Sequence, residues 1–281
     1  MNMTNNLPIL KKSALIFTDL DGTFLNNDNF SFGKNLDIAR ELIELGHFII
    51  FNSSKTFVEI DNFLCEQNIQ LPIICETGGG VYLPKNLELT PYANEYHTIY
   101  EASKLSTIRQ NIDQICEDFK DEIQFFDELS HDERIKLSNL EPAGLILASK
   151  RVFSMLFLWR STEERLMILS NLLQKINMKI IRGARFFHLC SDFDKGRSML
   201  TLINEFKNIY PDKEFISIAI GDSSNDIAML KAADYRCIVK STGNKKISFS
   251  ELSNDLIISR NEAPEGWFEC LENVFTKIGA N

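Results

Sequence analysis

The sequence predicts an α/β protein in which a parallel sheet flanked by helices is interrupted by an inserted α+β module. Three observations carry this prediction. Through about residue 90, apolar runs alternate with helix-period segments; between about 86 and 190 the texture changes; and from 191 onward strand–helix alternation returns. A chain of 281 residues also exceeds the usual size of a single domain. The expected division is a core from 1–87 and 190–281, with the insertion at 88–189.

Taken in order, residues 14–18 (ALIFT) read as a buried strand. Residues 34–45 place Leu36, Ala39, Leu42 and Ile43 on one helical face, and Gly46 stands where a left-handed cap is wanted. Strand 47–52 follows, then an apolar stripe of Phe57, Ile60, Phe63 and Leu64, a short strand at 72–75 and a glycine turn at 78–80. In the insertion, charged helical stretches such as 101–122 precede strand-like runs at 143–148 and 152–159. A helix at 164–176 and strands at 178–182 and 185–190 complete it. Met199, Leu202, Ile203 and Phe206 share one helical face before the strand FISIAIG at 215–221.

Hydrophobic residues make up 44% and charged residues 25%, as in ordinary soluble globular proteins. The formal net charge of -9 repels nucleic acid and anionic membrane, and no Lys/Arg run offsets it, so neither is an expected partner. Six scattered cysteines show no Cys-x-x-Cys pair and read as reduced thiols. No apolar stretch is long enough to span a bilayer, and the start MNMTNNLPILKK lacks the order of a signal peptide, which leads to a cytoplasmic expectation.

The chemistry begins at Asp19-Leu20-Asp21-Gly22-Thr23, directly after the first strand. Strand side chains alternate faces, so Asp19 and Asp21 project to one side at the carboxyl end of the strand, where open α/β sheets gather their sites. One carboxylate can attack phosphorus while its neighbour protonates the leaving oxygen and later activates water. A second acidic segment, Gly221-Asp222-Ser223-Ser224-Asn225-Asp226, also follows an apolar strand. Mg²⁺ takes one or two carboxylates plus water and phosphate. Asp19 and Asp222 supply two ligands in this reading, the backbone carbonyl of Asp21 a third, and Asn225 and Asp226 orient the surroundings. A helix cap before 224–232 explains the same residues locally. Ser53, with Ser54 and Lys55 beside it, can receive phosphate oxygens, and Lys195 opens a helix with an ammonium group; each alone also reads as a cap or a solvated surface.

These four segments in this order resemble the haloacid dehalogenase-like phosphatase superfamily, whose motifs match DLDGT at 19–23, Ser53, Lys195 and GDSSND at 221–226. The resemblance implies a Rossmann-like core with an inserted α/β cap of the type IIB kind. It makes Asp19 the nucleophile and Asp21 the general acid/base, gives phosphate to Ser53 and Lys195, and holds Mg²⁺ on the two aspartates of the first motif with Asp222 and Asp226. SSKTFVE at 53–59, ETGGGVYLP at 76–84, RGARFFHL at 182–189 and APEGWFE at 263–269 are similar to mannosyl-3-phosphoglycerate phosphatases. Where many of those show Arg-x-x-Ser-Glu-Pro, this chain has Arg151-Val152-Phe153-Ser154-Met155-Leu156.

A small anionic sugar phosphate is the implied substrate, mannosyl-3-phosphoglycerate first and glucosyl-3-phosphoglycerate or another hexose phosphate next, and the glycerate carboxylate demands positive charge. Arg185 or Arg182 with His188 could supply it, although a surface arginine and a core imidazole explain those residues equally well. A phosphomutase and a non-catalytic sugar-phosphate sensor are the competing readings. Closure of the cap would hinge near 84–92 and 188–194.

Overall fold

The computed structural model describes residues 4, 7–8, 10–88, 91–183, 185–241, 252 and 255–279; residues 89 and 90 of the first expected hinge and Ala184 of the 182–189 segment lie outside them. The chain opens with β1 (Ser13–Thr18), α1 (Asn35–Glu44), β2 (Phe48–Asn52), α2 (Phe57–Glu66), β3 (Ile73–Cys75), β4 (Gly80–Pro84) and β5 (Tyr96–Glu101). There follow α3 (Leu105–Glu117), β6 (Ile123–Phe125), α4 (His131–Ser138), α5 (Pro142–Ala148), β7 (Ser154–Trp159), α6 (Glu163–Gln174), β8 (Met178–Arg182) and β9 (Phe187–Ser191). It ends with α7 (Lys195–Ile209), β10 (Phe215–Gly221), α8 (Ile227–Ala232), β11 (Tyr235–Lys240), β12 (Ile257–Glu262) and α9 (Glu265–Gly279).

Among the described residues the strands form two sheets. The larger has eight strands in the order β12-β11-β10-β1-β2-β3-β4-β5, all running one way except β4, which pairs antiparallel with β3 and with β5. Alternation along β1 sends Leu15 and Phe17 to one face, where they pack with Met199, Leu202 and Phe206 of α7 and Met229 of α8. Ala14 and Ile16 face the other way, onto Leu36 and Leu42 of α1, Leu64 of α2 and Trp267 of α9. Burial on both faces is why β1 reads as an unbroken apolar run. The expected stripes on α1 and α7 are the buried ones, and Gly46 has the left-handed backbone a helix end wants, with φ 88°.

The smaller sheet is antiparallel, in the order β6-β7-β9-β8. Met155 and Phe157 of β7 and Leu189 of β9 bury one face against α3 and α6. The opposite face carries Ser154, Leu156, His188 and Cys190 by strand alternation.

Two expectations at element level are corrected. Residues 143–148 are helix α5, not a strand: a short apolar run cannot distinguish the two, and Pro142 at the first helical position starts a helix readily. Residues 96–101, expected in the insertion, form β5 on the edge of the large sheet, because β4 reverses direction and β5 pairs antiparallel with it. The chain therefore passes between the sheets at 102–104 and 192–194. No helix among the described residues is long and apolar enough to cross a membrane.

Candidate active site

The backbone N–H of Asp19 donates to the carbonyl of Ile220 at 2.9 Å, extending the β1–β10 ladder one residue past Thr18. The next residue, Leu20, turns into the core, so Asp21 returns to the side of Asp19. Gly22 then reverses the chain with φ 77°. A Cβ there would lie 2.5 Å from Oδ2 of Asp222, so glycine serves both the turn and the approach of the two acidic segments. Asp222 stands just beyond β10, on the strand beside β1. Parallel pairing thus places both acidic segments at the same edge of the sheet.

Lys195, the first residue of α7, is fully buried, and its Nζ donates to Oδ1 of Asp19 at 2.8 Å and to Oδ1 of Asp226 at 2.6 Å. Burial opposes its charge, but Asp19 and Asp226 outweigh that and raise its pKa. The other oxygen of Asp226 accepts from the backbone N–H of Asp222 (3.1 Å) and of Ser223 (2.9 Å) and from the Ser223 hydroxyl (3.1 Å). Asn225 accepts from the same hydroxyl at 2.6 Å. Asp226 is therefore held by protein donors on both oxygens.

Around Asp21 the arrangement differs. Lys55 pairs with its Oδ2 at 2.9 Å and reaches Glu59 at 3.9 Å. Burial opposes the charge of Lys55, while Asp21 and Glu59 raise its pKa overall. The other oxygen of Asp21 is buried without a protein partner. Ser53 is buried at the end of β2, with its hydroxyl accepting from the Lys55 N–H at 3.3 Å. The sequence placed Lys55 toward phosphate; the geometry also makes it the cation that orients the second aspartate.

Burial lifts the pKa of Asp19 to about 6, with Lys195 countering and Asp226 adding to the rise. Asp222 is pushed well above the usual carboxylate range by burial, then by Asp226 and Asp19. Carboxylate oxygens of Asp19, Asp222 and Asp226 lie within 4.8 Å of one another. Such crowding of hard oxygen donors, with one lysine among them, fits a divalent cation. With Asp226 engaged elsewhere, the oxygens best placed to receive it are those of Asp19 and Asp222. The Asp21 carboxylate is not in this group; it is turned to Lys55.

The residues expected to supply positive charge from the insertion sit differently. Arg185 is exposed and donates to the carbonyl of Ser138 at 2.7 Å, and Arg182 pairs with Glu163 at 2.5 Å. His188 is buried, and burial, then Arg151 and Lys195, push its pKa well below the usual value, so it is a neutral imidazole rather than a cation. The arginine of the insertion that reaches the loop after β2 is Arg151: its Nη2 donates to the carbonyl of Ser54 at 2.6 Å. Glu76, fully buried, accepts from the N–H groups of Val152 (2.7 Å) and Phe153 (3.1 Å) and from the Ser154 hydroxyl (2.7 Å). Neither contact was foreseen. The one sequence signal was an acid set immediately before Thr77 and the glycines 78–80. Those glycines serve packing: a Cβ at Gly79 would lie 2.5 Å from Cβ of Phe153.

The sequence model described as haloacid dehalogenase-like hydrolase matches residues 16–250. The chain is 29% identical over 269 residues to a glucosyl-3-phosphoglycerate/mannosyl-3-phosphoglycerate phosphatase from Persephonella marina, covering 94% of this chain and 98% of that one. It is 27% identical over 232 residues to a mannosyl-3-phosphoglycerate phosphatase from Pyrococcus furiosus, covering 80% and 90%. Among solved structures, a subclass IIB sugar phosphatase of the same superfamily superposes with a TM-score of 0.63 at 17% identity, covering 96% of this chain and 100% of that one, a likeness of fold.

Proposed function

The chain belongs to the haloacid dehalogenase-like hydrolases, and on that premise we propose that it is a Mg²⁺-dependent phosphatase of a small anionic sugar phosphate, with mannosyl- or glucosyl-3-phosphoglycerate as substrate. The observation that carries this reading is the buried contact of Lys195 with Asp19 and Asp226, beside Asp222. A lysine wedged between two acids steers one oxygen of Asp19 and leaves the other for attack.

Asp19 attacks phosphorus, the bond to the sugar-side oxygen breaks, and Asp21 delivers its proton to that oxygen. Asp21, now ionised, takes a proton from water as it attacks the aspartyl-phosphate, releasing inorganic phosphate and restoring Asp19. Lys55 holds Asp21 in place for both proton transfers. Ser53, its backbone neighbours and Lys195 receive the phosphoryl oxygens. A bound Mg²⁺, seated on Asp19 and Asp222 with Asp226 steadying the latter segment, would offset the negative charge of carboxylates and phosphate together. The unit built on the smaller sheet acts as a cap over this site, and Arg151 with Ser54 lies where the two meet.

The test is phosphate release from a panel containing mannosyl- and glucosyl-3-phosphoglycerate and simple hexose phosphates, with and without Mg²⁺. Release requiring Mg²⁺ and lost by at least about a thousandfold in Asp19→Asn is expected. No release from any ester beyond that of the variant would reject the reading.

A further inference from the structure

The loop between β1 and α1 holds an aromatic residue in a backbone conformation that aromatic residues rarely adopt. Phe30 has φ 56°, in the left-handed region that is costly for any residue with a Cβ. Among the described residues, four of the other six non-glycine positions with positive φ are asparagines, which tolerate it best; the remaining two, Glu76 and Thr77, stand beside the site. Several bonds fix the loop. The Phe30 N–H donates to the Asn26 carbonyl at 3.0 Å, and the Asn26 N–H donates to the Ser31 carbonyl at 2.8 Å. Oδ1 of Asn26 accepts from the N–H groups of Asp28 (2.9 Å) and Asn29 (3.2 Å). Its Nδ2 donates to the Ala263 carbonyl at 3.1 Å, which pins the loop just ahead of α9. Strain persists only where the surroundings hold it, and here they aim the Phe30 ring at Lys55.

The ring is half-buried, and its centroid lies 5.2 Å from Nζ of Lys55. That ammonium pairs with Asp21 at 2.9 Å and reaches Glu59 at 3.9 Å, with only 15% of the Lys55 side chain exposed. An aromatic face attracts a cation through its quadrupole and excludes water from that side. A lysine is a point charge on a flexible stem, so a third wall decides where the charge rests.

We propose that Phe30 is a positioning residue for the reaction: its ring closes the open side of Lys55 and keeps the ammonium on Asp21. This rests on the phosphatase reading, in which Asp21 moves both protons. The ring acts through Lys55 and does not touch the substrate.

Three variants test it. Phe30→Leu keeps apolar bulk without a ring face, Phe30→Tyr restores the face, and Phe32→Leu loosens the same loop at a ring that meets Phe63 (5.9 Å) instead of a lysine. With mannosyl-3-phosphoglycerate and Mg²⁺, kcat should fall about fivefold or more in Phe30→Leu while KM stays within about twofold of wild type. It should recover in Phe30→Tyr and hold in Phe32→Leu. An unchanged kcat in Phe30→Leu, a loss carried by KM, no recovery in Phe30→Tyr, or an equal loss in Phe32→Leu overturns the proposal. A second arm needs no turnover: acetylation of Lys55 by a succinimidyl ester, read by mass spectrometry against the exposed Lys85. Lys55 should react about threefold faster in Phe30→Leu than in wild type and no faster in Phe30→Tyr, and equal rates in Phe30→Leu and wild type overturn the proposal. A wild type that releases no phosphate rejects the phosphatase reading, and the labelling still decides whether the ring holds Lys55.

Discussion

At the scale of single residues, the decisive feature is how many charges are taken out of water together. Lys195 has no exposed surface, and its two carboxylate partners are buried with it. Replacing it with methionine leaves Asp19 and Asp226 uncompensated, which should cost about 3–5 kcal/mol of stability in a urea titration. The same variant should lose phosphatase activity by at least about a hundredfold. His47 makes a second prediction. Its Nδ1 accepts from the Ala14 N–H at 3.1 Å, and burial lowers its pKa to about 4. Between that value and 6.5 the unfolded chain binds the proton and the folded one does not, so stability falls as pH drops through this window and is untouched above it. The raised pKa values of Asp19 and Asp222 act in the opposite sense, since protonation favours the folded chain. The contribution of His47 is therefore read as a difference: from pH 7 to pH 5 the wild type should lose about 2 kcal/mol more than His47→Gln.

At the scale of elements, β3 and β7 are joined by a side chain rather than by a strand pairing. Glu76, with its left-handed backbone (φ 47°), accepts three hydrogen bonds from residues 152–154 and sits 3.7 Å from Arg151. Its own N–H donates to the Lys55 carbonyl at 2.8 Å, and Arg151 returns to Ser54. The loop after β2 is thus tied to the start of β7 by two routes. Glu76→Gln keeps the shape but turns an amide N–H₂ toward donors, and should cost about 2 kcal/mol in chemical denaturation. An unchanged midpoint would show that the tie is not stabilising.

At the scale of the whole molecule, the two crossings at 102–104 and 192–194 connect the sheets. The second is bound by Lys179 to Asp192 at 3.3 Å and to Asp194 at 3.1 Å, and by Arg197 to Asp192 at 2.6 Å. The stretch 84–92, expected on sequence grounds to act as a hinge, leads into β5 of the large sheet, so we propose that the first hinge lies at 102–104. Opening and closing of the cap about these crossings predicts that phosphate with Mg²⁺ slows proteolytic cleavage at both, as ligands do when they hold a lid shut. Equal cleavage rates with and without the ligands would argue for a fixed cap.

The sequence by itself determined the α/β class, the strands that end in Asp19 and Asp222, the faces of α1 and α7, and the order of the four motifs. Each of these rests on neighbours in the chain: side-chain alternation, helical period, and acids set directly after apolar runs. Only the tertiary structure decided that 143–148 is helical, that β5 closes the edge of the large sheet, that His188 is neutral, and that Glu76 and Arg151 join the start of β7 to the ends of β3 and β2. Those outcomes depend on partners tens of residues away, such as Glu76 with Val152, and on how much water is left around a charge. Periodicity carries neither, because it reports which face a residue occupies and not what meets it there.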